Sequence, residues 1–242
     1  MPASTAANVG AGFETASPGT SEAIWLPWLD TLRDWLPDRA PLFVIAPHPD
    51  DETLGAGGLM SVCARRGDVV SVICVTDGEA ARPEMSNLAA IRLAELNAAA
   101  GHILGNRAPV ACLGLPDGDV TGHESELIRQ LESRIPHHAT LIAPFEHDGH
   151  PDHDTIGRVC IELATKHDLN LARYPIWAWH RLTPSSFHAE QPVKVFLDEH
   201  ARAAKNAAIQ CYRSQTEDRP GGAIVPEHVL SYFRRPHEVY FL

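Results

Sequence analysis

Two clusters of histidine and aspartate could do chemistry. The first is His48, Asp50, Asp51 and Glu52 in "APHPDDETLGAGG", and the second is His150, Asp152 and His153 in "DGHPDHD". His48 and Asp51 are three residues apart across a tight turn, close enough to grip one ion. His150 and His153 offer two imidazoles at the same spacing. A catalytic zinc site takes three protein ligands and leaves one position open for water. One histidine–aspartate pair plus one distant histidine completes such a set. The ion then brings the pKa of its water to about 7 and polarises a carbonyl. A hydrolase also needs a base, and Asp50 is the adjacent carboxylate. The histidine not used as ligand can stabilise an oxyanion, and Asp152 between the two can orient one of them. Glu52 falls where a helix starts, so capping is its first expected role.

Neither cluster alone compels this reading. "HPDD" also describes a turn with aspartate capping a helix, and "DGHPDHD" also describes a solvated acidic loop. What joins them is the order of elements. Apolar runs at Leu42 to Ala46, Val69 to Thr76, "PVACLGL" and "ATLIAP" read as strands. They alternate with helical stretches at Thr53 to Arg66, "MSNLAAIRLAELNAAAGHIL", "ESELIRQLESRI" and "HDTIGRVCIELATKH". Such alternation predicts an α/β fold, a Rossmann-like three-layer sandwich with a mostly parallel central sheet flanked by helices. Ligands bind beyond the carboxyl ends of such strands. Both clusters, and "TDGE" and "LPDGD", follow strands and fall on that edge.

The remaining elements are less regular. "IWLPWLDTLRDWL" (Ile24 to Leu36) has helical spacing and predicts a packing helix. "LARYPIWAWHRL" and "PVKVFLD" read as strands, "EHARAAKNAAIQCYRSQ" as a helix and "EVYFL" as a last strand. The small residues of "GAGG" suit close helix–sheet packing. Residues 1–22, rich in Ala, Ser, Thr and Gly, are expected to form a flexible arm. That stretch lacks the basic start and apolar core of a signal peptide. Residues 23–242 are expected to form one domain.

Composition narrows the function classes. The 242 residues are 44% hydrophobic, enough for a sizeable core. A formal charge of −11 disfavours nucleic-acid or anionic-membrane partners. No run reaches the ~18 apolar residues of a membrane span. Five scattered cysteines without a Cys-x-x-Cys pair point to reduced thiols and a cytoplasmic location. The sequence has no Gly-x-Ser-x-Gly and no phosphate loop.

Taken in order, "APHPDDETLGAGG", "VTDGE", "RLAE", "LGLPDGD" and "HPDHDTIG" resemble the LmbE-like, or PIG-L, zinc-dependent de-N-acetylases. The resemblance covers about residues 42 to 165, and "NAAIQCYRSQ" is similar to the family's C-terminal helix. It implies an amidohydrolase of the EC 3.5.1 type that removes N-acetyl from an N-acetylglucosamine-type sugar conjugate by attack of metal-bound water. It further implies His48, Asp51 and His153 as metal ligands, with Zn²⁺ or Fe²⁺ as the ion. Asp50 would be the general base, and His150 would stabilise the oxyanion with Asp152 orienting it. Arg92 and Asp117 would bind sugar hydroxyls. The aromatic segment with Tyr174, Trp177, Trp179 and His180 lies outside the matched part and is expected either to line an acceptor pocket or to pack in the core. Homo-oligomerisation stays open. Two alternatives stand beside this reading: hydrolysis of a longer acyl chain or ester, and a catalytically silent carbohydrate-binding protein.

Overall fold

The strand–helix alternation builds one eight-stranded sheet in the computed structural model, which describes residues 17–105 and 109–242. The strands are β1 (Arg33–Asp34), β2 (Leu42–Ala46), β3 (Val70–Thr76), β4 (Val110–Leu115), β5 (Thr140–Pro144), β6 (Asn170–Tyr174), β7 (Pro192–Phe196) and β8 (His237–Phe241). They lie in the order β1-β7-β8-β6-β5-β2-β3-β4. All neighbours pair in parallel except β8, which runs antiparallel to β6 and β7. The helices are α1 (Glu22–Thr31), α2 (Asp51–Arg66), α3 (Leu88–Leu104), α4 (Glu124–Glu132), α5 (Pro151–His167), α6 (Ala178–Arg181), α7 (Glu199–Ile209), α8 (Arg213–Thr216) and α9 (Glu227–Phe233).

Alternation along β2 separates the two halves of the core. Val44 packs in the cluster that holds Leu59 and Met60 of α2 and Leu96 of α3. Its neighbour Ile45 packs in the cluster that holds Leu127 and Leu131 of α4 and Ile156 of α5. Helices therefore cover both faces, and the central strands β2, β3 and β5 between them are predominantly apolar. The α2 glycines let the helix approach closely: a Cβ at Gly55 would lie 2.1 Å from Tyr174 Cδ2, and one at Gly58 2.4 Å from Leu197 Cδ1. The helix stops at Gly67, which takes φ 92 and donates its N–H to Ala64 O.

The strand order reverses between β2 and β5. β3 and β4 are added on one side of β2, while β5 and β6 are added on the other. The connections after β2 and β5 therefore leave the sheet toward opposite faces and open a crevice at its carboxyl edge. The two histidine–aspartate clusters sit at the ends of these two strands.

Three expectations change. The helix expected over Ile24 to Leu36 ends at Thr31, and Leu32 is extended. Residues 33–34 instead join β7, and Trp35 donates its N–H to Lys194 O at 2.8 Å, so a sheet edge outcompetes helical spacing. The strand expected over "LARYPIWAWHRL" stops at Tyr174, and Ala178–Arg181 is helical. The cause is a distant carboxylate: Asp148 accepts the N–H groups of Ile176, Trp177 and Ala178 and so caps that turn. The helix expected through Gln215 breaks after Ile209, and α8 follows. Residues 1–16 of the expected arm lie outside the described residues. Of the remainder, Thr20 is held by hydrogen bonds to His180 O and Leu182 O and from Tyr232.

One buried ion pair ties the sheet to two helices. Glu238 of β8 accepts from Gly58 N, Leu59 N, Tyr240 Oη and Lys205 Nζ, the last at 2.6 Å. Lys205→Met leaves this carboxylate buried without its cation. It is expected to destabilise the protein by about 3–5 kcal/mol, read as a lower urea midpoint at unchanged m-value. A loss under 1 kcal/mol would refute that account.

Candidate active site

The loop after β2 turns through Pro47–Pro49 into α2, and its geometry is unusual at Asp50. This residue caps α2 with φ 142, a conformation costly for any side chain. Glu52 holds it there. Its Oε2 accepts the Asp50 N–H at 3.1 Å, while its Oε1 accepts the hydroxyls of Thr53 and Tyr212. Glu52 is fully buried. It thus supports the helix start as expected, and Tyr212 from the C-terminal part braces it. Glu95 of "RLAE" makes a second stitch, accepting from the amide and hydroxyl of Ser214.

Residues 48, 51 and 153 converge. His48 Nδ1 lies 3.2 Å from Asp51 Oδ2, His153 Nε2 lies 3.3 Å from the same oxygen, and the two nitrogens are 3.3 Å apart. An ion with four tetrahedral bonds of about 2.0–2.1 Å separates its ligand atoms by about 3.3–3.4 Å. The three donors thus form one face of such a tetrahedron, and the residues fit a divalent cation. The far nitrogen of each imidazole supports this. His153 Nδ1 contacts Asp148 Oδ2 at 2.9 Å. His48 Nε2 contacts Asp117 Oδ1 at 3.0 Å and Asp152 Oδ2 at 3.1 Å. A proton shared with a carboxylate on that side turns the other lone pair toward the ligand face.

A second group, His48, His150 and Asp152, also clusters within 4.8 Å. It shares His48 with the first.

The charges follow from this packing. Burial alone would raise the Asp51 carboxyl, but His153 and His48 hold it below the usual carboxylate range. Burial opposes charge on His153, and Asp51 and Asp148 override it and raise the imidazole to about 9, so a cation held there would take the place of the Nε2 proton. Burial pushes Asp50 up to about 8 against the opposing charge of Arg92. His150 goes the other way, to about 2, through burial and the neighbouring His153 and His48. Its Nδ1 accepts the Asp152 N–H at 3.3 Å, which places the proton of the neutral ring on Nε2.

A cleft of about 730 Å³ opens above the triad, lined among others by His48, Asp50, Asp51, Arg92, Asp117 and His150. Arg92 is buried rather than on the surface of its helix. It donates to Pro49 O, Gly78 O and, at 3.3 Å, Asp50 Oδ1. Asp117 faces His48 and accepts from Ala80 N, so it is more than a turn residue. The carboxylate of Asp152 reaches His48, Gly118 N and Val120 N; toward His150 it is the backbone amide of Asp152 that donates. Of the four aromatic-segment residues, Trp177 lines the cleft. Tyr174 bonds to Ile45 O in the core, Trp179 packs edge-on against Trp25 at 4.9 Å, and the His180 and His228 rings lie 5.8 Å apart.

Asp148 escaped the sequence reading, although it stands in the same acidic loop. It is 1% exposed, orients His153 and fixes the turn that carries Trp177. Asp148→Asn is expected to weaken divalent-metal affinity by about 10–100-fold, measured by competition with a chromogenic chelator. An unchanged affinity would remove it from that role.

Comparison with known proteins places the chain in a family. Residues 43–164 match the PIG-L family, described as GlcNAc-PI de-N-acetylase. A Bacillus subtilis (strain 168) protein, "Probable N-acetyl-alpha-D-glucosaminyl L-malate deacetylase 2", is 32% identical over 188 residues, covering 73% of this chain and 83% of its own. Among solved structures, the conserved protein TT1542 from Thermus thermophilus is 30% identical with a TM-score of 0.55, over 73% of this chain and 80% of that one. The N,N′-diacetylchitobiose deacetylase from Pyrococcus horikoshii shares the fold at 24% identity and a TM-score of 0.58, over 82% and 81%. On the matched residues and on the shared length, the chain belongs to the PIG-L family of de-N-acetylases.

Proposed function

We propose that this deacetylase hydrolyses the N-acetyl amide of an N-acetylglucosamine-type sugar conjugate, with His48, Asp51 and His153 holding a divalent cation. The near-equilateral face of three donor atoms, two of them on residues that line the cleft, carries the reading. A cation bound there supplies Lewis acidity, lowering the pKa of a water toward neutrality and polarising the amide carbonyl. Zinc suits the two nitrogens and one oxygen, and Fe²⁺ accepts the same set.

The chain's own groups do the rest. Asp50 takes the proton of the attacking water and returns a proton to the leaving amine. A carboxyl raised by burial toward neutral pH is suited to both steps. Arg92 fixes the Asp50 side chain. His150 presents its Nε2 proton to the oxygen that gains charge as the carbonyl becomes tetrahedral. Asp117 lines the cleft where a sugar hydroxyl can reach it. Asp152 orients His48 through its carboxylate and His150 through its amide.

The test is acetate release. Metal-supplemented protein is expected to free acetate and amine from N-acetylglucosaminides faster than it cleaves matched N-octanoyl amides or O-acetyl esters. Preference for either of the latter would replace the acetamide reading, and binding without turnover would favour a silent carbohydrate-binding protein. No helix among the described residues is long and apolar enough to cross a membrane. Five free thiols, all described, support a reducing compartment such as the cytoplasm.

A further inference from the structure

Beside the ligand residues, the cleft has an apolar lining of a different character. Its wall is built by Ile176 and Trp177 after β6, Ile224 and Val225 in the loop after α8, and Val229 and Phe233 on α9. None of these six belongs to the stretch that matches the family. Gln215 lines the cleft beside this wall and is 0% exposed. Its Nε2 donates to Ser214 Oγ at 2.7 Å, while its Oε1 is buried with no hydrogen-bond partner. A buried amide oxygen calls for a donor, and a hydroxyl or N–H entering the cleft supplies one.

We infer that this apolar wall forms a subsite for an apolar substituent on the amino sugar, with Gln215 Oε1 accepting from a hydroxyl of the ligand. The inference rests on the deacetylase reading and names its substrate class. Charge supports a neutral, apolar occupant over an acidic one. The two arginines that line the cleft are already engaged. Arg82 donates through both Nη atoms to Pro220 O and Gly222 O and so braces the loop that leads to Ile224. Arg92 spends its Nη atoms on Gly78 O, Pro49 O and Asp50. The Nη groups of both are thus held by protein oxygens, while the Nε of each is buried without a partner. Asp50, Asp117 and Asp119 line the same cleft and repel an anion.

The experiment compares N-acetylglucosamine glycosides with methyl, butyl and octyl groups and with a carboxylate-tipped chain, all on the metal-supplemented full chain. With about 0.8 kcal/mol per buried methylene, kcat/KM should rise about three- to fourfold per carbon over the first few carbons. The carboxylate tip should lose at least about tenfold. Ile224→Asp, at a half-buried loop position, should flatten the series. Gln215→Met should raise KM by about three- to tenfold for every member without changing the slope. A flat series in the unaltered protein, or preference for the carboxylate, overturns the inference. If no glycoside releases acetate, the deacetylase reading fails separately. Calorimetric binding of the same series then decides the subsite, a slope with chain length supporting it and equal affinities refuting it.

Discussion

Replacing Asp50 by asparagine is expected to lower kcat by about 10²–10⁴-fold, the usual contribution of a positioned general base. Asparagine keeps the shape of the side chain and tolerates positive φ better than most residues, so the turn at φ 142 should survive. Asp50 is outside the triad of donor atoms, so bound metal should remain stoichiometric. The group must be ionised to accept a proton, and activity therefore falls as pH drops through its pKa. That acid limb should disappear with the carboxylate. The measurements are single-turnover acetate release, metal content by elemental analysis and a pH–rate profile. Turnover within tenfold of the unaltered protein would assign the base elsewhere.

His150→Ala should remove about 10²–10³-fold from kcat, the magnitude seen when one oxyanion donor is deleted. The neutral ring, with its Nδ1 engaged by the Asp152 amide, has its proton on Nε2 and lines the cleft beside the triad. A donor that meets charge only in the transition state should affect kcat far more than KM. His150→Gln, which can present an N–H near the same place, should recover part of the loss. Equal losses in both variants, or a change confined to KM, would instead mark His150 as a substrate-binding or structural residue. The residue also caps α5, so thermal stability is the control.

Both expectations start from residues that stood out by type and spacing. The strands were legible because a buried parallel sheet demands unbroken apolar runs: "VVSVICVT" and "ATLIAP" have no other sensible place. The site was legible because its donors come as paired histidines and aspartates right after such runs. The places where sequence reading failed share a cause. "YPIWAWH" has the composition of a strand, yet Asp148 caps its N–H groups into a turn from about thirty residues away. "LRDW" continues a helical pattern, yet the edge of β7 pairs with it. Local propensity amounts to tenths of a kcal/mol per residue, and a few tertiary hydrogen bonds outweigh it.

The sequence alone therefore determined the fold class, through the periodicity and order of its apolar runs, and its motifs carried the family and the candidate donor residues. The tertiary structure decided which nitrogens of His48 and His153 lie against Asp51 Oδ2, that Asp148 contacts His153 and Glu52 holds the Asp50 backbone, and that apolar side chains from residues 224–233 line the cleft. Those properties arise from contacts between segments as much as 160 residues apart, as between Glu52 and Tyr212. Chain spacing carries no record of such distances; only the packed sheet and its helices set them.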